Sequence, residues 1–221
     1  HFWETGELNS ESNVQFGEGG AGTFSDGKLN TLVKDKFGRN KFVLETFVKH
    51  GAPEEILYEN KPHIGTDLLR NVVAGIREEI KSLGGDVRFE AKVTDFVIKD
   101  RRLTGLIIND EEELKTEAAI LAPGHSARDT FKVLSDRNLE MHPKAFAIGL
   151  RVEHPREMID HSQYGEGADK YNLPAASYKL TYHADNGRSV YSFCMCPGGF
   201  VVNASSEPER LTVKGMSNHD R

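Results

Sequence analysis

The apolar residues mark out a helix between Thr66 and Leu83. Leu68, Leu69, Val72, Val73, Ile76, Ile80 and Leu83 recur at three- and four-residue spacing, which puts them on one stripe of a helical surface. Thr66 is a natural N-cap, Asp67 suits the positive end of the helix dipole, and Gly84-Gly85 supply the stop. A looser helical pattern runs from Lys41 to Tyr58, with Phe42, Leu44, Phe47 and Val48 apolar, and "HGAPEE" breaks it. Before it, residues 1–40 are rich in Gly, Ser and Asn and read as loop, with a short strand at "NVQF".

After the helix the period falls to two. "DVRFEA", "VTDFVIK", "LTGLIIN" and "ELKTE" read as short strands, with turns at Asp100-Arg101-Arg102 and Asp110-Glu111-Glu112. Phe96, Ile98, Leu103, Leu106 and Ile108 supply the apolar content of this meander. "AAILAPG" is apolar throughout, as a strand buried on both faces of a parallel sheet would be. It leads into "HSARDTFKVLSDRN", where Ser126 and Asp129 stand at capping-box spacing. Beyond about Pro143 the character changes. "AFAIGLRVEH" alternates Phe146, Ile148, Leu150 and Val152 with a second face, "ASYKLTYHADNGRSVYSFCMC" reads as a hairpin around Asn186-Gly187, and "GGFVVNAS" is a further strand. This half reads as a mainly antiparallel second unit.

Composition narrows the functional classes. The 221 residues are enough for a sizeable core, and a net charge of −6 argues against a general nucleic-acid binder, which needs a basic face. No apolar run approaches the ~20 residues that span a bilayer. Two cysteines, Cys194 and Cys196, are too few for a disulfide scaffold and fit a reducing, cytoplasmic setting. The chain opens on "HFWETGEL" without Met and closes on "SNHDR", so a fragment of a longer protein is expected.

Three short motifs invite chemical readings. Gly17, Gly19 and Gly22 spell the dinucleotide pattern G-x-G-x-x-G, but "NVQF" is a weak strand and Ser25, Asp26 and Gly27 would break the helix that must follow. Gly22, Gly27 and Lys28 spell the phosphate-loop pattern, yet Leu29 replaces the hydroxyl residue that holds magnesium. "GHSAR" sits where a serine-hydrolase elbow would, making Ser126 a candidate nucleophile, although Arg128 occupies a position that needs a small residue. Cys194 and Cys196, two apart on a strand, face the same way; a redox pair and packed reduced thiols both fit, and two ligands alone make no metal site. No metal is expected.

The series of glycine loop, helix, meander and small-residue turn resembles the FAD-binding domain of glutathione-reductase-like flavoproteins. "FGEGGAGTFSDGKLNT", "KPHIGTD", "LAPGHSARD", "FAIGLRVEHP" and "FCMCPGG" resemble one bacterial family in particular, the uncharacterised FAD-dependent dehydrogenases or NAD(P)/FAD-dependent oxidoreductases. The resemblance implies an α/β (α+β) fold. Residues 1–142 would be a partial FAD/NAD(P)-binding, Rossmann-like domain with a three-stranded meander, and residues 143–221 a mainly antiparallel substrate or cap domain. It implies FAD as cofactor, NAD(P)H as a candidate electron donor, and a small-molecule substrate. The FAD contacts implied are the backbone of Gly19, Gly20, Ala21, Gly22, Thr23, Phe24 and Ser25, Val93 at the adenine, and the turn Ala122, Pro123, Gly124. Lys28, Lys61 and His63 have two readings, a solvated loop or a place near the flavin ring, where a cation stabilises the charge of the reduced flavin. The family's first dinucleotide fingerprint and its closing segment have no counterpart in these 221 residues, so weak or absent FAD binding is expected of this chain alone. Two other readings stand beside this one: a serine hydrolase using Ser126, and a non-catalytic nucleotide-binding or RNA-modification-related flavoprotein module.

Overall fold

The computed structural model describes residues 2–18, 28–29, 34–168, 170–193 and 195–219. The chain divides into two compact units, residues 1–79 with 150–221, and residues 80–149. The fold is mixed α/β, and its sheets are small and antiparallel, of three, two and two strands.

In the first unit a short helix α1 (Phe2–Thr5) precedes α2 (Arg39–Lys49), a 3-10 turn (Glu54–Leu57) and α3 (Thr66–Ser82). The start of α2 is capped from a distance. Asp35 accepts the backbone N–H groups of Arg39 (2.8 Å) and Lys41 (3.1 Å), and these bonds, that of Lys41 first, hold its carboxyl below the usual range. At the other end of α2, Lys49 and His50 (2.6 Å) both reach Glu79 on α3, and Lys49 above all keeps that carboxyl low. The apolar stripe of α3 then packs where the pattern places it. Leu69 and Val72 join Ala52, Ile56 and Ile64 in a buried cluster, covered by Leu29, Leu44, Phe47, Val48, Leu68, Val73 and Ile76. Ile80 and Leu83, at the end of the same stripe, are exposed. In the later part of this unit, α5 (Arg156–Tyr164) is followed by two hairpins. One pairs β4 (Thr181–His183) with β5 (Ser189–Tyr191) around the expected Asn186-Gly187 turn, and the other pairs β6 (Phe200–Asn203) with β7 (Val213–Met216).

The second unit holds the meander. β1 (Val93–Lys99), β2 (Arg102–Ile108) and β3 (Glu112–Lys115) form an antiparallel sheet, as the alternation predicts. Asp100 and Arg101 (φ 49° and 63°) and then Asn109 and Asp110 (φ 54° and 62°) take the left-handed backbone that tight hairpin turns need. Helix α4 (Arg128–Asp136) follows, and Arg137 just after it forks onto Asp95 of β1, with Nε–Oδ1 at 3.1 Å. That pairing holds the Asp95 carboxyl below its ordinary 3.8. Because the folded value is the depressed one, the pair contributes stability above 3.8 and loses it as pH falls through the folded-state titration. We therefore expect Asp95→Asn to lower the denaturation midpoint at neutral pH. The gap to the wild type should close progressively in acid, as chemical denaturation across that range would measure.

Several expected elements do not form. "NVQF" is a turn in which the Asn13 side chain caps Gln15, and "DVRFEA" joins no ladder. Residues 118–124, the expected parallel strand, and 145–154, the expected alternating strand, lie outside every helix and strand. A strand is stable only beside a partner, and no described strand offers one to either segment. Among the described residues no two strands pair in parallel. The capping box at Ser126 is also absent. Ser126 turns its hydroxyl to His125 Nδ1 (2.7 Å), Asp129 pairs with Lys92 (2.8 Å), and α4 starts without a side-chain cap. None of the described helices is long and apolar enough to cross a membrane.

Candidate functional site

The first unit gathers four sequence-distant phrases at one place. Lys28, at the end of the glycine loop, forms an antiparallel bridge with His63 of "KPHIG", and Leu29 N–H donates to the Pro62 carbonyl (3.0 Å). The Lys28 ammonium donates to the Met195 carbonyl inside "FCMCPGG". His63 is 7% exposed, and its Nε2 meets the Ser217 hydroxyl at 3.2 Å. Ser217 in turn accepts the Thr66 N–H at its carbonyl (3.0 Å), so the segment after β7 is fastened to the start of α3. His219 stacks on His63 with ring centroids 6.2 Å apart, sets Nε2 3.2 Å from Glu55, and donates its backbone N–H to Asp67 (2.9 Å).

The glycines here are required by space. A Cβ on Gly65 would lie 2.6 Å from Asp67 Oδ1 and 2.7 Å from His219 Cα. One on Gly199 would meet Cys196 Sγ at 2.6 Å, and one on Gly215 would meet Cys196 Cβ at 2.8 Å. Cys196 is thus a half-buried cysteine wedged between Gly199, just before β6, and Gly215 of β7. On the outer side, Tyr178 N–H approaches Met195 Sδ (3.2 Å), and its hydroxyl meets His154 Nε2 (3.0 Å).

Of the residues singled out from sequence, the structure thus brings Lys28 and His63 together, while Lys61 stands exposed beside them. Cys194 lies outside the described residues, and so do Gly19, Gly20, Ala21, Gly22, Thr23, Phe24 and Ser25. Ser217, His219, Glu55 and Met195 were missed. Ser217, His219 and Glu55 fall in none of the motifs, whereas Met195 lies inside "FCMCPGG" between the two cysteines.

Val93, Ala122, Pro123 and Gly124 belong to the second unit. Val93 opens β1 and borders a depression of about 190 Å³ lined by Lys92, Thr94, Asp129, Thr130 and Val133. Lys92 is the main reason the Asp129 carboxyl there sits below its usual range. That volume is below the roughly 300–1,000 Å³ of ordinary ligand pockets, so the depression by itself is too small to enclose a dinucleotide. Gly124 has φ +76° and open space where a Cβ would be, which leaves its backbone free to be approached. Ser126 lies nearby in sequence, but no strand precedes it, and among the described residues no carboxylate reaches His125.

Residues 145–221 match the family model described as "FAD-dependent protein, C-terminal domain-like". Over all 221 residues the chain is 55% identical to an uncharacterized protein of Clostridium beijerinckii (strain ATCC 51743 / NCIMB 8052). It spans 41% of that relative's length. The matched segment includes Met195, Cys196, Ser217 and His219 of the first unit.

Proposed function

We propose that the chain is the central part of an FAD-dependent oxidoreductase of the dehydrogenase type, acting on a small molecule. The observation that carries this is the match of residues 145–221 to the C-terminal domain of FAD-dependent proteins. It agrees with the five motifs that resemble the same flavoproteins. The match begins at residue 145, and the proposal keeps a boundary near residue 143 between a Rossmann-like cofactor domain and a substrate or cap domain. Bound FAD would supply the hydride and electron transfer. This chain's part is to hold and orient it. The backbone of Gly19–Ser25, Val93 and the Ala122–Gly124 turn would take the cofactor. Lys28, tied to Met195 and bridged to His63, would place a fixed positive charge beside the glycine loop. Lys61 and the Cys194/Cys196 pair stay secondary candidates, NAD(P)H is the proposed electron donor, and a cytoplasmic location follows from the cysteine usage.

The absorbance spectrum of purified protein tests this. The full-length protein is expected to carry stoichiometric flavin with bands in the visible. The 221-residue chain is expected to bind it weakly or not at all, because the dinucleotide fingerprint that would cradle the pyrophosphate is not among its residues. A colourless full-length protein that takes up no added FAD would refute the proposal, and a stoichiometric yellow 221-residue chain would refute its second half. Bleaching of the bands by NADPH or NADH then identifies the donor.

A further inference from the structure

The most conspicuous surface of the molecule is "AFAIGLRV", residues 145–152. Phe146, Ile148, Leu150 and Val152 are 84%, 91%, 95% and 64% exposed. They alternate with Ala145, Ala147, Gly149 and Arg151, so a strand made of these residues would carry large apolar side chains on one face and three small residues with one arginine on the other. A face of that kind is built to be buried: four large apolar groups in eight residues exceed what a soluble surface ordinarily leaves in water. The small residues of the opposite face suit close packing of a second layer. Yet residues 139–155 form no helix or strand, a longer structureless run than compact domains usually contain. Among the described residues the hairpins β4–β5 and β6–β7 are two-stranded, and two-stranded ribbons are marginal alone.

We propose that residues 145–152 are a strand of an antiparallel sheet completed by a segment of the same polypeptide outside these 221 residues, which buries Phe146, Ile148, Leu150 and Val152. The relative that matches the chain end to end is more than twice its length, so a chain of that length has ample sequence to supply the strand. The partner is an alternating apolar strand, joined by main-chain hydrogen bonds along the open edge. The inference stands apart from the flavin, since it rests on exposure and periodicity alone.

Hydrogen exchange on the full-length protein at two concentrations tests it, with the flavin spectrum taken on the same sample. Amides of 146–152 should exchange at least about 100-fold more slowly than an unstructured peptide, equally at both concentrations. Exchange at the unstructured rate overturns the proposal, whether or not the sample is yellow. Protection that disappears on dilution, together with a dimer-to-monomer change in sedimentation, also overturns it and assigns the face to a second copy of the chain. A colourless sample with a protected strand leaves this proposal standing and removes the flavin reading.

Discussion

Gly65→Ala is expected to destabilise the first unit by about 2–5 kcal/mol, the sum of two independent costs. Gly65 has φ +88°, a backbone conformation that costs an L-residue about 1–2 kcal/mol. The new methyl would also stand 2.6 Å from Asp67 Oδ1 and 2.7 Å from His219 Cα, and forced overpacking costs a further ~1–3 kcal/mol. The Asp67 side chain can rotate away, but it is the acceptor of the His219 N–H, so moving it breaks the bond that holds residue 219. Gly51→Ala separates the two terms. Gly51 has φ +99° and nothing within 4 Å of its Cβ position, so only the conformational cost applies, about 1–2 kcal/mol. Denaturant midpoints of the two variants check this. Equal losses would mean that the packing of residues 217–219 against the start of α3 contributes nothing.

The parts of the fold legible in sequence are those whose cause is local. The α3 stripe, the meander and the Asn186-Gly187 hairpin need only periodicity and turn chemistry, and each forms where those place it. The parts that were not legible depend on partners. "AAILAPG" and "AFAIGLRVEH" have strand patterns and form no strand, because a ladder needs a neighbour that no described residue provides. Ser126 has capping-box spacing, but its hydroxyl has a nearer acceptor in His125, and the competing local bond wins.

The candidate site divides along the same line. Lys28 and His63 could be singled out because they lie in distinctive glycine- and proline-containing phrases. Their pairing could not, since 35 positions separate them and only the bridge closes that loop. Ser217 and His219 are invisible to spacing altogether. They become part of the site through tertiary contacts with His63, Glu55 and Asp67, which no motif encodes. The "GEGGAGTFSDGKL" phrase shows the opposite hazard. It satisfies the dinucleotide spacing and all but the last position of the phosphate-loop pattern, while the weak strand expected before it at "NVQF" is a turn and no helix is predicted after it.

Ile64→Ala should cost about 2–5 kcal/mol, because Ile64 is fully buried and large-to-small changes in such sites lose both transfer energy and packing. Ile56, Ile64 and Val72 are the largest fully buried side chains, so the core has few other residues to share the loss. Ile64→Val removes a single methylene and should cost about 0.5–1.5 kcal/mol, giving a graded series. Leu83→Ala, on the same apolar stripe as Val72 but largely exposed, should stay within about 0.5 kcal/mol. The position also links stability to the site. Ile64 is flanked in the chain by His63 and Gly65, so the group that anchors the turn in the core sets the height of the His63 ring against Ser217 and His219. A cavity beneath Ile64 should therefore loosen the His63–Ser217 contact before the unit unfolds. The His63 ring resonances would broaden or shift in Ile64→Ala at denaturant concentrations where the wild type shows no change. Identical ring spectra in the two proteins, with a lowered midpoint, would mean that the core and the candidate site are energetically separate.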